Sequence, residues 1–425
     1  MFKNSYCIYL ILMVFTIQLS QAQFTLSGEF RPRAEARHGF GTLINTNQDL
    51  GFGTSTRARL NAGFKTDSYD FYLSLQDVMV WGENRQILPD DQNDSFAIFQ
   101  AWAAINLGKG FSTKIGRQVL SYDDQRILGG LDWAQQGRNH DAALIKYQKD
   151  KLAIDFALAY NQDYDNPTGF TNTGNTYNTT GFFSYKTMQM LHLSKKWTNF
   201  SSSLLVMNNG FQKYKEDGVT PDGTNNLQTI GAHLNYKKGK LGISGNAYFQ
   251  TGERQGSVDV QEASLLGLEF SYKAADKITV ELGIESISGA KDDSAAFFPL
   301  YGTNHKFNGL MDYFYVGNHA NSIGLIDIHA SANFNLGKKT NLMIKALNFS
   351  GHQELSSGEK SLGTEIDLVL KKGFKGFNIV GGYSQMFASN GMYELKGVSE
   401  NLASNNQSWA WIMLVIKPQF FTTSK

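Results

Sequence analysis

The sequence predicts an all-β protein that forms a transmembrane antiparallel β-barrel of about 18 strands. Three observations predict this fold. Apolar and polar residues alternate with period two along most of the chain, short connections alternate with long ones, and no apolar run of about 18 residues follows residue 22. Membrane insertion must therefore use strands and not helices. The 42 glycines, 30 phenylalanines, 19 tyrosines and only 6 prolines are also typical of a barrel with many turns and aromatic girdles.

Residues 1–22 have the pattern of a secretory signal peptide. Lys3 precedes an apolar run from Ile8 to Ile17, and the segment ends in a small-x-small cleavage site at Ala22. The apolar run is shorter than the roughly 20 residues of a spanning helix, so a cleaved signal is favoured over a membrane anchor. We therefore expect a signal peptide over 1–22, cleavage near Ala22, and a barrel over 23–425 in an outer membrane. The single cysteine, Cys7, would leave with the signal peptide.

Eighteen segments have the patterning of strands. In residues 56–64, for example, the even positions are mostly apolar and the odd ones are mostly polar or small. The last segment, 408–416, is apolar on both faces and is typical of a closing barrel strand. An even number of strands is what closure requires. The predicted strands lie near 24–36, 52–66, 69–81, 96–107, 112–121, 139–149, 152–162, 183–195, 199–208, 227–237, 240–250, 262–273, 276–287, 323–336, 340–350, 360–371, 375–387 and 407–418.

The connections between these segments are alternately short and long, and barrels place their short turns in the periplasm. Both termini are therefore expected on the periplasmic side, and the long connections are expected to face outward. A soluble β-sandwich array or a propeller is the alternative, but the chain has no repeat of about 40 to 50 residues with a shared signature. The long connections lie near 37–51, 82–95, 122–138, 163–182, 209–226, 251–261, 288–322, 351–359 and 388–406.

Charged residues recur on one face of the predicted strands, and because lipid cannot accept them they are expected to face the lumen. Cations cluster in the amino-terminal strands, whereas carboxylates dominate later ones. A lumen biased in this way suits an anionic, hydroxyl-rich solute. The alternative is that the charges neutralise one another and only keep the pore wet. The amino-terminal set is Glu29, Arg31, Arg33, Glu35, Arg37, Arg57, Arg59, Lys114 and Arg117, and the later set is Glu269, Glu281, Glu285, Asp327, Glu365 and Asp367, with Lys345, His233 and His329.

Residues 115–142 carry the densest mixture of charged and amide side chains in the chain. They contain Gly116-Arg117-Gln118, Asp124-Gln125-Arg126, Trp133, Gly137-Arg138 and Asp141-Ala142 in series. This series resembles the alginate export family of outer-membrane porins, and residues 28–33, Gly-Glu-Phe-Arg-Pro-Arg, are similar to the first strand of that family. The resemblance is strongest between about residues 24 and 150.

The resemblance implies a monomeric barrel of about eighteen strands with an electropositive constriction through which a polyuronate such as alginate leaves the cell. It implies carboxylate contacts for Arg117, Arg126 and Arg138, together with Arg31, Arg33 and Arg57. Arg59, Lys114, Glu29 and Asp141 complete the candidate lumen site. Dedicated exporters are expected to plug the pore with a long periplasmic turn, but the periplasmic connections predicted here are short. Gating, and export as against uptake, are therefore left open.

The sequence thus predicts passive passage of an anionic polysaccharide or oligosaccharide, with a general or uptake porin for small anionic solutes as the alternative. An adhesin or scaffold barrel is less favoured. The expected partners are outer-membrane lipid and the saccharide, and whether a periplasmic protein delivers that saccharide is left open. Without Lys3 the chain has 38 basic and 38 acidic residues, which argues against nucleic acid as a partner.

An outer-membrane enzyme would need a nucleophile, a histidine and a carboxylate that converge on one wall. Asp327, His329 and Ser331 share a face, but alternation makes such groupings common in any polar lumen. We therefore predict no catalytic residues, no cofactor and no metal. The acidic runs 90–94 and 292–293 have the oxygen ligands that Ca²⁺ favours, but solvated loop charge is the preferred interpretation.

Overall fold

The computed structural model describes residues 22–84, 87, 95–161, 184–218, 220–291, 294–314 and 322–423. The acidic run 90–94, the pair 292–293 and most of the predicted signal peptide lie outside the described residues. Within them the chain forms one antiparallel sheet. Its strands are Gln23–His38 (β1), Gly51–Lys65 (β2), Tyr69–Val80 (β3), Ala97–Gly108 (β4), Phe111–Gln118 (β5), His140–Lys149 (β6), Leu152–Tyr160 (β7), Thr187–Lys196 (β8), Phe200–Tyr214 (β9), Pro221–Lys238 (β10), Leu241–Arg254 (β11), Val258–Ala275 (β12), Ile278–Ser288 (β13), Gly324–Gly337 (β14), Thr340–Ser350 (β15), Ser361–Gly373 (β16), Phe377–Ala388 (β17), Gln407–Ile416 (β18) and Gln419–Thr422 (β19).

The sheet closes on itself between the first and last strands. Strand β1 pairs with β2 on one side and with β18 on the other, where Phe30 lies opposite Ile416. Strand β19 continues along β1 past Pro418, which has no N–H to donate to the ladder, and pairs with residues Thr25 to Ser27. Because β18 and β19 together form one interrupted strand, the wall has eighteen strands. All eighteen predicted segments are confirmed.

Alternation along each strand separates a lipid-facing surface from the lumen. On β13, Leu282 and Ile284 are 62% and 46% exposed, whereas Glu285 is 6% exposed. The outward face thus carries apolar side chains that lipid solvates, and the inward face carries charges that need partners. No helix within the described residues is long and apolar enough to cross a membrane. A short helix, Asn390–Lys396 (α1), lies in the connection between β17 and β18.

Two long connections fold into the barrel instead of remaining outside it. These are residues 119–139, between β5 and β6, and the described residues 289–291, 294–314 and 322–323, between β13 and β14. We call them loop 119–139 and loop 289–323. The two loops contact each other where the N–H of Gly129 donates to the carbonyl of Tyr301, at 2.9 Å. The phenol of Tyr301 in turn accepts from Asn209 on β9, at 3.1 Å. The two connections leave the barrel on its long-loop side, as predicted, but their described residues turn back into the lumen, which the sequence did not predict.

The physical reason is an apolar inward face on the middle strands of the barrel. Leu144, Met190 and Met207 point inward and are at most 2% exposed, and they belong to one buried cluster with side chains of both loops. Apolar side chains cannot line a water-filled pore without a large cost, so the loops cover them. The loop members of this cluster include Leu120, Ile127, Leu128, Phe297, Phe298 and Leu300.

Phe298→Ala is expected to detach loop 289–323 from this cluster. Phe298 is 2% exposed, and truncating a buried phenylalanine costs about 3–5 kcal/mol. Limited proteolysis of the barrel in detergent should then cut within residues 289–323 much faster than in the unchanged protein. Phe52→Ala, at a site that is 74% exposed, is the matched control and should leave the cleavage rate unchanged. Equal rates for both variants would contradict the role of this cluster.

Candidate functional site

The basic side of the lumen is a ladder of arginines on β1 and β2. Arg31 lies directly opposite Arg57, and Glu29 lies opposite Arg59, so all four side chains share the inward face. Arg57 is fully buried, and Arg31 and Arg33 are 3% and 5% exposed. Because a buried guanidinium needs counter-charge and acceptors, the ladder must be satisfied from inside the barrel.

Loop 119–139 supplies most of these acceptors. Arg31 donates through Nη1 to the carbonyl of Asp132, at 2.7 Å, and through Nε to Oε1 of Gln135, at 3.1 Å. Arg33 donates through Nη1 to the carbonyl of Trp133, at 2.8 Å. Arg57 donates to Oε1 of Glu29, at 2.5 Å. The loop is thus held on the arginine ladder by carbonyl, amide and carboxylate oxygens.

Asp132 is the carboxylate that loop 119–139 brings to the ladder. Its oxygens lie 2.7 Å from Arg57, 3.6 Å from Arg31 and 4.0 Å from Arg59. Burial within the barrel acts to raise its pKa, but the charge and hydrogen bond of Arg57 outweigh that effect and hold the pKa below its usual value. The side chain is nevertheless 69% exposed. A carboxylate in contact with water therefore sits among three arginines.

An aromatic cluster joins both loops to the last strand. The Arg33 guanidinium lies 4.1 Å from the ring centroid of Trp133, and the ring of His305 stacks on Trp133 at 4.3 Å. Trp409 and Trp411 of β18 meet the edge of Trp133 at 5.5 and 4.8 Å. From the sequence, these two tryptophans were predicted only to belong to a closing strand. Their i, i+2 spacing indicated that both would share one face of that strand.

Arg126 crosses the lumen to the acidic wall. Its guanidinium donates to both oxygens of Glu285, at 2.8 and 2.6 Å, and to the side-chain oxygens of Asn304 and Asn308, both at 2.9 Å. Arg126 is 1% exposed. Because Arg126 belongs to loop 119–139, Glu285 to β13 and the two asparagines to loop 289–323, one side chain ties three parts of the molecule together.

Residues 305–312 of loop 289–323 separate two cavities. The outer cavity, about 570 Å³, is lined by His305 and Asp312 of this segment together with the loop-side ends of β1 to β3. The inner cavity, about 420 Å³, is lined by residues 306–310 together with β11 to β16. The segment is held by hydrogen bonds from Asn308 Nδ2 to Glu285 and Asp327, at 2.9 and 3.1 Å, and from the Met311 N–H to Glu365, at 2.9 Å. The segment therefore contributes lining residues to both cavities.

A sequence model of alginate export proteins matches residues 22–386. The chain belongs to the alginate export family. It is an outer-membrane porin of the alginate-export type, as the residues of 115–142 predicted, and the fold and family predictions are both confirmed. No curated protein matches the sequence.

Solved structures share the architecture of this alginate export family barrel at low sequence identity. OccAB4 of Acinetobacter baumannii is 13% identical, with a TM-score of 0.61, over 94% of this chain and 99% of that chain. OpdO of Pseudomonas aeruginosa is 12% identical, with a TM-score of 0.62, over 94% and 98%. OpdK of Pseudomonas aeruginosa, solved with vanillate, is 11% identical, with a TM-score of 0.59, over 94% and 99%. At these identities the likeness shows the fold alone.

In this alginate export family member, only some of the residues predicted for the lumen site lie close to one another. Arg31, Arg33, Arg57, Arg59 and Glu29 converge on β1 and β2 as expected. Arg126 and Arg138 lie on loop 119–139 and not on the wall, and Arg138 donates to the carbonyl of Gly302 at 2.9 Å. Lys114 faces inward but lies apart from the ladder, 3.9 Å from the ring centroid of Trp102. Six predicted residues thus have a lumen position on the wall, and two cross-link the loops.

Arg117 and Asp141 face outward, which corrects their predicted lumen position. They lie opposite each other on β5 and β6, and their side chains form a bidentate ion pair with both oxygens 2.9 Å from the guanidinium. Both are well exposed, whereas their neighbours Gln118 and His140 are buried inside. The pair sits next to the loop-side ends of its strands, where mutual pairing lets charge occupy the outer face. The rule that charges face the lumen fails at such a rim.

The predicted opposition of a basic and an acidic wall is present in the described strands. Glu285, Asp327, Glu365 and Asp367 are all at most 6% exposed and face inward on β13, β14 and β16. The two inward loops lie between these carboxylates and the arginine ladder. The opposite charges of the two walls therefore hold the loops in place. Arg126 of loop 119–139 binds the acidic wall, and Asp132 of the same loop binds the arginine ladder.

Proposed function

We propose that this porin gives passive passage to an anionic polysaccharide or oligosaccharide, and that Asp132 occupies the place of a solute carboxylate on Arg31, Arg57 and Arg59. The observation that carries the proposal is the exposed carboxylate of Asp132 among three arginines. A uronate offers a carboxylate with neutral hydroxyl oxygens beside it, as the loop offers a carboxylate with neutral carbonyl and amide oxygens beside it. The guanidinium groups can donate to either carboxylate through charge-assisted hydrogen bonds.

Exchange of a solute carboxylate for Asp132 would leave no arginine without a partner. Removing one partner of a buried charge is costly, whereas replacing it with an equivalent group is nearly neutral. Asp132 is exposed enough for water, and so for a dissolved carboxylate, to reach it. Sequential exchange along the ladder therefore supplies the shallow, multiple binding steps that conduction needs. Arg33, Arg126 and Arg138 act in this proposal by positioning the loops.

The proposal includes the remaining expectations from the sequence. The chain is a monomeric channel without catalytic residues or cofactor, and its signal peptide is cleaved near Ala22. In the Asp327, His329 and Ser331 group, the Ser331 hydroxyl donates to Glu281 at 2.6 Å, and His329 pairs with Asp327 at 3.2 Å. A nucleophile and its base would need to share a hydrogen bond. The proposal holds for export and for uptake, and with or without a periplasmic protein that delivers the saccharide.

Arg59→Gln tests the binding role of the ladder. Oligouronate should block single-channel conductance of the unchanged protein in a planar bilayer, and the concentration for half-block should rise about tenfold in the variant, which corresponds to about 1.4 kcal/mol. Arg117→Gln is the matched control because it removes the same charge from the outward face. Its half-block concentration should stay unchanged.

Three outcomes of this measurement would contradict the proposal. Conductance of small anions that is indifferent to oligouronate would leave a general porin. An equal effect of Arg59→Gln and Arg117→Gln would show that overall charge, and not the ladder, controls the block. Hydrolysis of the oligouronate would indicate an enzyme.

A further inference from the structure

Residues 305–312 of loop 289–323 are docked on two carboxyl groups of a single strand. Glu365 and Asp367 lie two positions apart on β16, so both face inward, and each is at most 1% exposed. The N–H of Met311 donates to Oε1 of Glu365, at 2.9 Å, and the N–H of Leu310 donates to the Asp367 carboxyl. We call Glu365 and Asp367 the carboxyl pair. The loop backbone therefore depends on the state of this pair.

The two carboxyl groups of the pair also form a hydrogen bond with each other. An ionised carboxylate only accepts hydrogen bonds and cannot donate one. A hydrogen bond between Glu365 and Asp367 therefore requires a proton on one of them. Oδ1 of Asp367 already accepts from the Ser384 hydroxyl, at 2.5 Å. The carboxyl pair as it stands in the docked structure thus carries one proton and one negative charge.

The charges next to the pair make that proton necessary for docking. Lys345 lies directly opposite Asp367 on β15 and supplies one positive charge. Asp312, which belongs to the docked segment itself, acts on Glu365 as a like charge, and its Oδ1 lies 2.9 Å from Nδ1 of His305. Without the shared proton, two buried carboxylates and Asp312 would repel one another beside one lysine. The repulsion would act directly on the docked segment.

Other titratable groups surround the docked segment, and one of them also loses charge at alkaline pH. Burial lowers the pKa of Lys396, which donates to the carbonyl of Tyr313, to about 8. Burial raises the pKa of Tyr313 above its usual value, so its phenol stays neutral. Lys396 is therefore the competing cause of any alkaline change. The groups around the segment are Asp327 and His329 of β14, Glu285 of β13 with Arg126, Lys306 and Tyr313 of loop 289–323, and Tyr393 and Lys396 of α1.

We propose that the proton shared by Glu365 and Asp367 holds residues 305–312 in the lumen, and that its loss at alkaline pH releases the segment and widens the lumen. The docked state binds this proton more tightly than the released state, in which water reaches both carboxylates. Docking is therefore stable at lower pH and is lost as the pH rises, by up to tenfold per pH unit for one proton. This device goes beyond the proposed passage of saccharide and does not depend on the arginine ladder.

The test is the salt conductance of the full protein in planar bilayers, without saccharide, from about pH 6 to about pH 10. The fraction of time in the high-conductance state should rise with pH, by up to tenfold per unit. Glu365→Gln supplies an amide N–H to Asp367 in place of the proton, so this fraction should stay low at every pH. Glu281→Gln is the matched control, because Glu281 bonds only to Ser331 and Asn333 among the described residues. It should keep the pH dependence.

Two further measurements separate the carboxyl pair from its neighbours. Lys396→Met and His329→Gln each remove another titratable group near the segment, and the pH dependence should persist in both. Infrared spectra of the unchanged protein at neutral pH should show the carbonyl stretch of a protonated carboxyl group. That band should be absent in Glu365→Gln and in Asp367→Asn. It reports the proton itself, whereas a merely structural role of the pair would not produce it.

Each contrary result overturns the proposal. Conductance of the unchanged protein that does not vary with pH would remove the switch, and pH dependence retained in Glu365→Gln would place it elsewhere. Loss of the pH dependence in Lys396→Met would assign it to the lysine. Absence of the protonated-carboxyl band in the unchanged protein would contradict the shared proton without recourse to any variant. Oligouronate block does not enter these measurements, so failure of the switch and failure of the proposed function are distinguishable.

Discussion

Arg126→Met should loosen both inward loops and raise the single-channel conductance severalfold. The substitution removes the ion pair with Glu285 and the hydrogen bonds to Asn304 and Asn308 while retaining much of the side-chain volume. Arg126 and Glu285 are both buried, and breaking a buried pair by removing one partner costs about 3–5 kcal/mol because a charge is left uncompensated. That cost falls on the contacts that hold residues 305–312 between the two cavities.

Conductance in planar bilayers, combined with protease sensitivity of loop 289–323, measures this effect. Arg117→Met is the matched control, since it breaks an exposed pair whose contribution is at most about 1 kcal/mol. The double variant Arg126→Met/Glu285→Met removes both charges and should recover part of the protease resistance. Conductance of Arg126→Met equal to that of the unchanged protein would show that the arginine does not restrict the lumen.

Asp132→Asn should strengthen oligouronate binding about tenfold, or about 1.4 kcal/mol. The amide keeps the shape of the side chain but removes the negative charge that competes with a solute carboxylate for Arg57. Glu29 remains as a partner of Arg57 at 2.5 Å, so the ladder keeps one counter-charge and the fold should persist. The half-block concentration of oligouronate in single-channel recordings measures the change.

Asp141→Asn provides the control for Asp132→Asn, because it removes a carboxylate from the outward face of the same barrel. The two variants have the same net charge, so long-range attraction of anions rises equally in both. A similar gain in oligouronate affinity for the two would therefore assign the effect to net charge. Weaker binding in Asp132→Asn would mean that the solute needs Asp132 in place, and that the exchange model is wrong.

The strand pattern determined the wall of this protein. Within a strand the side-chain period is two, so the inward position of Arg33 follows from that of Arg31, and the inward position of Arg59 follows from that of Arg57. The number of strands follows from the same side-chain period. The side with short turns follows from the alternation of short and long connections. The sequence also showed that cations cluster in the early strands and carboxylates in the late ones. Carboxylates such as Glu285 and Asp327 occupy one face of their strands.

Alternation was a poorer guide at strand ends. Arg117 and Asp141 were placed in the lumen because lipid does not accept charge, yet they pair with each other on the outward face beside the ends of β5 and β6. Ion pairing at the rim relieves the constraint that holds in the middle of the membrane. Trp409 and Trp411 followed the period but were not recognised as lumen residues, because their strand is apolar on both faces.

The paths of loop 119–139 and loop 289–323 were decided only by the tertiary structure. Arg126 and Glu285 are 159 positions apart in sequence, and Arg31 and Asp132 are 101 apart. No local pattern relates residues at such separations, because loops have no fixed period and their course depends on what the closed wall presents to them. The apolar inward face of the middle strands attracts the loops, and the two charged walls orient them. The sequence by itself therefore determined the barrel and its charges, whereas burial of surface that exists only after closure decided how the lumen is filled.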